Sequence, residues 1–247
     1  MTVSFAEDLR TGKQSFRNLN LSQISLRVVD APNCTFTACT FSDVDFTSAM
    51  LESLHTLDCT FQNCIFARAY LAESVFERTS FYGVSAECSF EYADLRLARF
   101  EECDIRLASL NHANLYRASL KKTNATGASF FRATFKGDVK IVDSIFRLTD
   151  LRDADLINCD LHKTIFEQAD LRNAHLNGSN LTECDFAGAN LLHTTISGAD
   201  LRGANIAQFN IHSTDFTGVT MYREQGHTLL ENAGILLIDR ESGQDRF

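Results

Sequence analysis

The 247-residue chain has no tryptophan, one proline and three methionines. No stretch has the roughly 20 consecutive apolar residues that a membrane-spanning helix needs. The opening MTVSFAEDLRTGK lacks the charged-then-apolar order of a secretion signal. A cytoplasmic protein without a membrane anchor is therefore expected. Positive charge is also scarce, with 23 Lys and Arg against 32 Asp and Glu, a net charge of −9. Ordinary nucleic-acid binding depends on phosphate neutralisation by a basic surface, so no direct nucleic-acid partner is expected. The glycines form no phosphate loop, and the eight cysteines lack the paired short spacing of zinc sites. Nothing supports an enzyme, a cofactor or a metal site.

What the chain does have is a period of five. Let i denote the apolar residues Phe36, Phe41, Phe46, Leu51, Phe61, Phe66, Leu71, Phe76 and Phe81. Then Cys34, Cys39, Cys59 and Cys64 all lie at i−2, as do Cys88, Cys103, Cys159 and Cys184 relative to Phe90, Ile105, Leu161 and Phe186. Alanines such as Ala93, Ala113, Ala154, Ala174 and Ala199 share that position. Asp or Asn recurs at i−1, and Gly recurs at i+2, where a turn can exploit its positive φ. Five matches neither the helical 3.6 nor the strand period of two. It does match a coil of four sides, one pentapeptide per side, in which residues twenty apart stack at strand spacing, about 4.8 Å.

This register predicts a column of Phe146, Phe166, Phe186 and Ile206, a second of Leu151, Leu171, Leu191 and Ile211, and an aromatic column of Phe41, Phe61 and Phe81. Small i−2 residues alternating with large i residues give a narrow, filled core. The cysteines are then buried thiols; Cys39 and Cys59 stack on one side, with parallel side chains that point away from disulfide geometry. The histidines His55, His112, His162, His175, His193, His212 and His227 occupy mixed phases, with no two of them twenty apart, so they do not stack into a metal site.

The segments ADLRGANIAQFNI, ADLRNAHLNGSNL and ANLLHTTISGADL resemble the A(D/N)LXX units of pentapeptide-repeat proteins. That resemblance implies an all-β fold, a right-handed quadrilateral β-helix, over residues 16–221. With 45% hydrophobic residues and no sign of a second domain, one continuous solenoid is expected. Residues 1–15 are assigned to an N-terminal cap, 222–240 to a C-terminal cap and dimerisation segment, and 241–247 to a flexible tail. Four irregularities interrupt the repeat. Phe81 to Phe90 spans nine residues where ten would keep register, Phe135 to Ile141 spans six where five would, and the others lie around Asp30-Ala31-Pro32 and Leu54 to Leu57.

After Met221 the repeat ends. Residues 222–232 have helix-compatible composition, Gly234 is placed to stop a helix, and Ile235 to Ile238 is a short strand-like apolar run. Leu229, Leu230, Ile235, Leu236, Leu237 and Ile238 together exceed what one end of a narrow coil covers, so a shared cap between two subunits is expected. The segment LLENAGILLID is similar to the C-terminal dimer contact of Qnr-type quinolone-resistance proteins.

Charge is uneven along the chain. Residues 1–135 carry 15 acids and 13 cations, net −2; residues 136–247 carry 17 and 10, net −7. The Qnr-type and mycobacterial fluoroquinolone-resistance resemblance implies a DNA-mimicking binder of DNA gyrase, with topoisomerase IV as a further target. The acids assigned to that surface are Asp143, Asp150, Asp153, Asp155, Asp160, Asp170, Asp185 and Asp200. An Asp before a buried Leu can equally serve its own backbone at the corner. A non-catalytic interaction scaffold, including a secreted effector, is the alternative.

Overall fold

The computed structural model describes residues 5, 7–9, 11–83 and 87–238. Five-residue units turn a corner at i+2, where the backbone enters the left-handed region at all described corners from Asn18 to Gly203 except Gly83. Asp43 (φ 54°), Ser48 (φ 55°), Asp153 (φ 58°) and Gly203 (φ 75°) are examples. That conformation disfavours most side chains by about 1–2 kcal/mol, and Asn, Asp and Gly tolerate it best. Four such corners bring the chain back above its starting point.

Among the described residues eleven three-residue strands form: β1 Ser15–Arg17, β2 Asn20–Ser22, β3 Thr35–Thr37, β4 Thr40–Ser42, β5 His55–Leu57, β6 Thr60–Gln62, β7 Val75–Glu77, β8 Ser80–Tyr82, β9 Arg99–Glu101, β10 Ser119–Lys121 and β11 Lys140–Val142. All pairings are parallel. On the first side of the solenoid the order is β1-β3-β5-β7-β9-β10-β11, and on the second β2-β4-β6-β8. The register of twenty is direct in Phe16↔Phe36, Phe41↔Phe61 and Phe61↔Phe81. Single bridges carry it along the third side, as in Asp150↔Asp170, and along the fourth, as in Asp155↔His175. The protein is a right-handed four-sided β-helix.

The columns stand where the five-residue register places them. Phe61 lies between Phe41 and Phe81, with ring centroids 4.7 and 4.9 Å apart and planes within 7°. Phe146, Phe166 and Phe186 follow at 5.9 and 5.4 Å. Leu151 and Leu171 are fully buried, whereas Leu191 and Ile211 near the C-terminal end are half-buried. All eight cysteines are buried free thiols.

Corners come in two kinds. In one, the N–H at i+3 bonds the carbonyl at i, as in Ala49 to Phe46 (2.9 Å), Ala169 to Phe166 (3.0 Å) and Ala174 to Leu171 (2.9 Å). In the other, flanked by the strands, the i+3 N–H turns to the side chain one coil above. Cys39 N–H reaches Cys59 Sγ at 3.5 Å, Cys64 N–H reaches Cys88 Sγ at 3.4 Å, and Thr123 N–H reaches Ser144 Oγ at 3.1 Å. The same thiols and hydroxyls donate downward to carbonyls of the preceding coil, Cys59 to Phe36 at 3.3 Å and Ser144 to Leu120 at 3.2 Å. Buried backbone groups need partners, so a small residue at i−2 suffices at the first kind of corner, while the second uses a small residue that also donates and accepts.

The first register slip differs from its expected form. Phe90 stacks on Phe66 at 5.0 Å and Ser89 bridges Ile65. Phe81 and Phe90 are therefore successive core positions on adjacent sides, and nine residues stand where five suffice. The four extra residues form an insertion whose centre, 84–86, lies outside the described residues. The second slip is a one-residue insertion, since Leu120 pairs with Ile141. The Leu54 to Leu57 irregularity causes no slip: Thr56 takes the core position between Phe36 and Phe76 and hydrogen-bonds Thr79 Oγ1 at 2.9 Å.

Helix α1, Arg223–Asn232, closes the C-terminal end. Gly234 (φ 79°) stops it, with Ile235 N–H returning to the Leu230 carbonyl at 2.9 Å. Gln225 bolts the helix to the last coil. Its Oε1 accepts from the N–H groups of Tyr222 (2.9 Å) and Gly203 (3.1 Å), and its Nε2 donates to the carbonyls of Leu201 and Ala204, both 2.8 Å. Phe209, a large residue at i−2, meets Phe186 at 5.4 Å and plugs the core below the helix. Ile235 to Ile238 forms no strand, and among the described residues no strand pairs with it. The expected tail 241–247, with 239–240 of the expected cap, lies outside the described residues.

Candidate interaction surfaces

In a strand, side chains at i−1 and i+1 emerge on the same face. Wherever Asp occupies i−1 and Arg occupies i+1, the two therefore meet. Arg152, Arg172 and Arg202 each clasp the Asp two residues before them through Nε and Nη2, with shortest distances of 2.7, 2.6 and 2.6 Å to Asp150, Asp170 and Asp200. The same carboxylates also accept the backbone N–H of their Arg at 3.2, 3.3 and 3.1 Å. The guanidinium hydrogen bonds hold the carboxyls of Asp170 and Asp200 below the usual carboxylate range. Asp94 with Arg96 and Asp104 with Arg106 repeat the arrangement lower in the coil.

The eight assigned acids are consequently not one uniform surface. Asp150, Asp170 and Asp200 are latched to arginines, and Asp155 is 3.7 Å from Lys136. Asp143, Asp153, Asp160 and Asp185 make no ion pair among the described residues. Asp153 accepts from Asn173 (3.1 Å), Asp160 from Asn180 (2.9 Å) and Asp185 from Asn205 (2.9 Å), contacts that leave the charge in place. By register, Asp160 lies on the first side, Asp185 on the second and Asp143 at the corner joining them, whereas Asp153 is on the opposite corner. Three carboxylates without an ion pair among the described residues lie along this edge, where Asp200, paired with Arg202, stands two coils above Asp160 on the same side; Asp150, Asp170, Asp155 and Asp153 lie on the third and fourth sides and the corner between them. The Asp-X-Arg spacing was the available sequence signal for this division. Counting net charge alone conceals it.

At the C-terminal end, Leu236 and Ile238 are each 82% exposed, and Ile235 and Leu237 are also exposed. Leu230 is half-buried. Leu229, at 4% exposure, belongs to this chain's own core and is not available to a partner. Among the described residues no group of three or more His, Cys, Asp or Glu is arranged to hold a metal ion, and no helix is long and apolar enough to cross a membrane.

The family model for pentapeptide repeats matches eight copies within residues 86–137 and 139–221, more than half the chain. The chain is a pentapeptide-repeat protein. This pentapeptide-repeat protein superimposes on full-length QnrB1, described as a plasmid-mediated fluoroquinolone resistance protein, with a TM-score of 0.73 and 22% identity. The superposition covers 90% of this chain and all of QnrB1. Two trypsin-treated QnrB1 variants give TM-scores of 0.71 and 0.73 at the same identity, covering 90% and 89% of this chain and 99% and 100% of theirs. At that identity the likeness establishes a common fold. No curated protein sequence matches the chain.

Proposed function

We propose that this protein is a cytoplasmic, non-catalytic binder of DNA gyrase that occupies the enzyme's DNA-binding saddle as a tail-to-tail dimer and modulates it or protects it from quinolones or toxins. The supporting observation is the edge carrying Asp143, Asp160 and Asp185: carboxylates without an ion pair among the described residues, on a β-solenoid, in the half of the chain with net charge −7. Such an edge attracts a basic groove by charge complementarity. End-to-end correspondence with a fluoroquinolone resistance protein favours the same reading. The exposed Ile235 to Ile238 run gives the dimer its contact. The latched Asp-Arg pairs favour the scaffold alternative, because they account for several acids without any partner.

A supercoiling assay with purified gyrase, with and without a fluoroquinolone, decides between the two. Asp143→Asn, Asp160→Asn and Asp185→Asn combined should weaken gyrase inhibition about tenfold, with Asp150→Asn and Asp170→Asn together having a smaller effect. Sedimentation should give twice the chain mass, reduced to one by Leu236→Asp with Leu237→Asp. A wild type without effect on gyrase, or a fully active triple variant, refutes the mimicry and leaves the scaffold.

A further inference from the structure

The acidic chain contains a stretch of opposite sign. Residues 105–137 hold Arg106, Arg117, Lys121, Lys122, Arg132 and Lys136 and no carboxylate. Because one coil takes about twenty residues, these cations ring the rod just below its most acidic part. Several are neutralised by neighbouring coils: Lys121 by Glu101 (3.9 Å), Lys122 by Glu102 (3.2 Å) and Lys136 by Asp155 (3.7 Å). Arg117 is not, and neither are Arg99 and Lys140; these three make no ion pair among the described residues. All three line one surface hollow, with Ser119, Glu73 and Asp138.

The second register slip shapes that hollow. Strand pairing sets Arg99, Ser119 and Lys140 in register on three successive coils, so the two outer cations rise from rows about 10 Å apart. Just before the inserted residue, Gly137 (φ 79°) occupies the corner directly above Arg117, where a Cβ would lie 2.6 Å from the Tyr116 ring and 2.9 Å from Arg117 Cγ. Glycine leaves room there for the Tyr116 ring and the Arg117 stem. An arginine fork, a second guanidinium, an ammonium and a hydroxyl thus face one space, and all of them donate to oxyanions. Glu73 and Asp138 line the same space, so cations outnumber carboxylates there three to two.

We propose that this hollow binds a linear triphosphate, a compact ligand whose charged oxygens extend over the three rows, either as inorganic triphosphate or as the phosphate chain of a nucleotide. Titration calorimetry of the full-length protein at low salt tests it, with inorganic triphosphate, ATP and adenosine as separate ligands. Saturable one-to-one binding of triphosphate, weakened about tenfold by Arg117→Gln with Lys140→Gln and unchanged by Lys163→Gln, whose lysine is paired with Glu183 at 3.5 Å, is expected. ATP should bind at least as well and adenosine should not bind. Equal thermal melts of the variants establish that the fold is intact. No saturation by triphosphate, an equal loss in the Lys163 control, adenosine binding, or tighter binding of an oligoglutamate peptide than of triphosphate would each overturn the proposal; the last identifies the hollow as a contact for an acidic protein segment.

Discussion

The N-terminal and C-terminal parts of the solenoid obey the same five-residue rule but solve the corner differently. Up to Val142 the first side carries continuous strand pairing, and after β1, where Leu19 stands, the residues that follow its strands are Cys39, Cys59, Thr79, Cys103, Thr123 and Ser144. Beyond it, every side is held by single bridges, and turns closed from i+3 to i dominate, many followed by alanine. The i−2 side chain thus does more than leave room in the core. Where the turn does not close on itself, the side chain supplies the missing hydrogen-bond partners; where it does, a methyl group suffices.

The largest way to break this comparison is through the aromatic columns, which are densest in the first part. Phe61 is sandwiched on both faces, and Phe61→Ala should cost about 3–5 kcal/mol in denaturant melts because the neighbouring coils cannot collapse onto the cavity. The exposed Arg172→Ala in the second part should cost well under about 1 kcal/mol. Comparable losses at the two sites would contradict the register.

A smaller effect separates the two kinds of corner. Cys59→Ala removes both the donor to Phe36 and the acceptor for the buried Cys39 N–H, and an unsatisfied buried group costs about 1–3 kcal/mol. Cys184→Ala loses a donor to Leu161 (2.9 Å), but the Thr164 N–H one coil below already bonds the Leu161 carbonyl at 3.2 Å. Its cost should fall below that of Cys59→Ala; the reverse order would show that thiol volume, rather than hydrogen bonding, governs i−2. Labelling should be slow at both, since burial closes access. Desolvation also pushes the Cys184 thiol up to about 12.

Much of this was legible in the sequence, since a strict period leaves one register that buries every i residue, and the columns through Phe61 and Phe166 follow from it. The 81–90 insertion was misjudged because a nine-residue spacing is nearly two repeats, and only the stacking of Phe90 on Phe66 shows it to be one. Of the acids assigned to a partner surface, six share the i−1 phase, and Asp143 and Asp153 stand near them at i+2. Their division into latched and free depends on what stands at i+1, and Asp160 and Asp185 differ from Asp170 in just that neighbour. Gln225 had no repeat phase to betray it; its four hydrogen bonds exist only after the last coil and α1 meet.

The smallest expected effect concerns the latches, and pH exposes it. Asp170 and Asp200 have carboxyls depressed by hydrogen bonds from Arg172 and Arg202, so their contribution to stability is fully present above the unfolded carboxyl value of about 3.9 and is lost as pH falls through the lower folded value. The pairs are partly solvated, which limits each to under about 1 kcal/mol. Melting temperature should therefore be level from neutral pH to about 5 as far as these groups are concerned and fall below about 4. Arg172→Gln should lie slightly below wild type at neutral pH, and the gap should close in acid once the Asp170 carboxyl is protonated in both proteins. A gap that persists in acid would mean that the Arg172 stem stabilises the coil by covering apolar surface. The Asp-X-Arg spacing would then be a packing device shared by both parts of the solenoid, with no electrostatic distinction between latched and free acids.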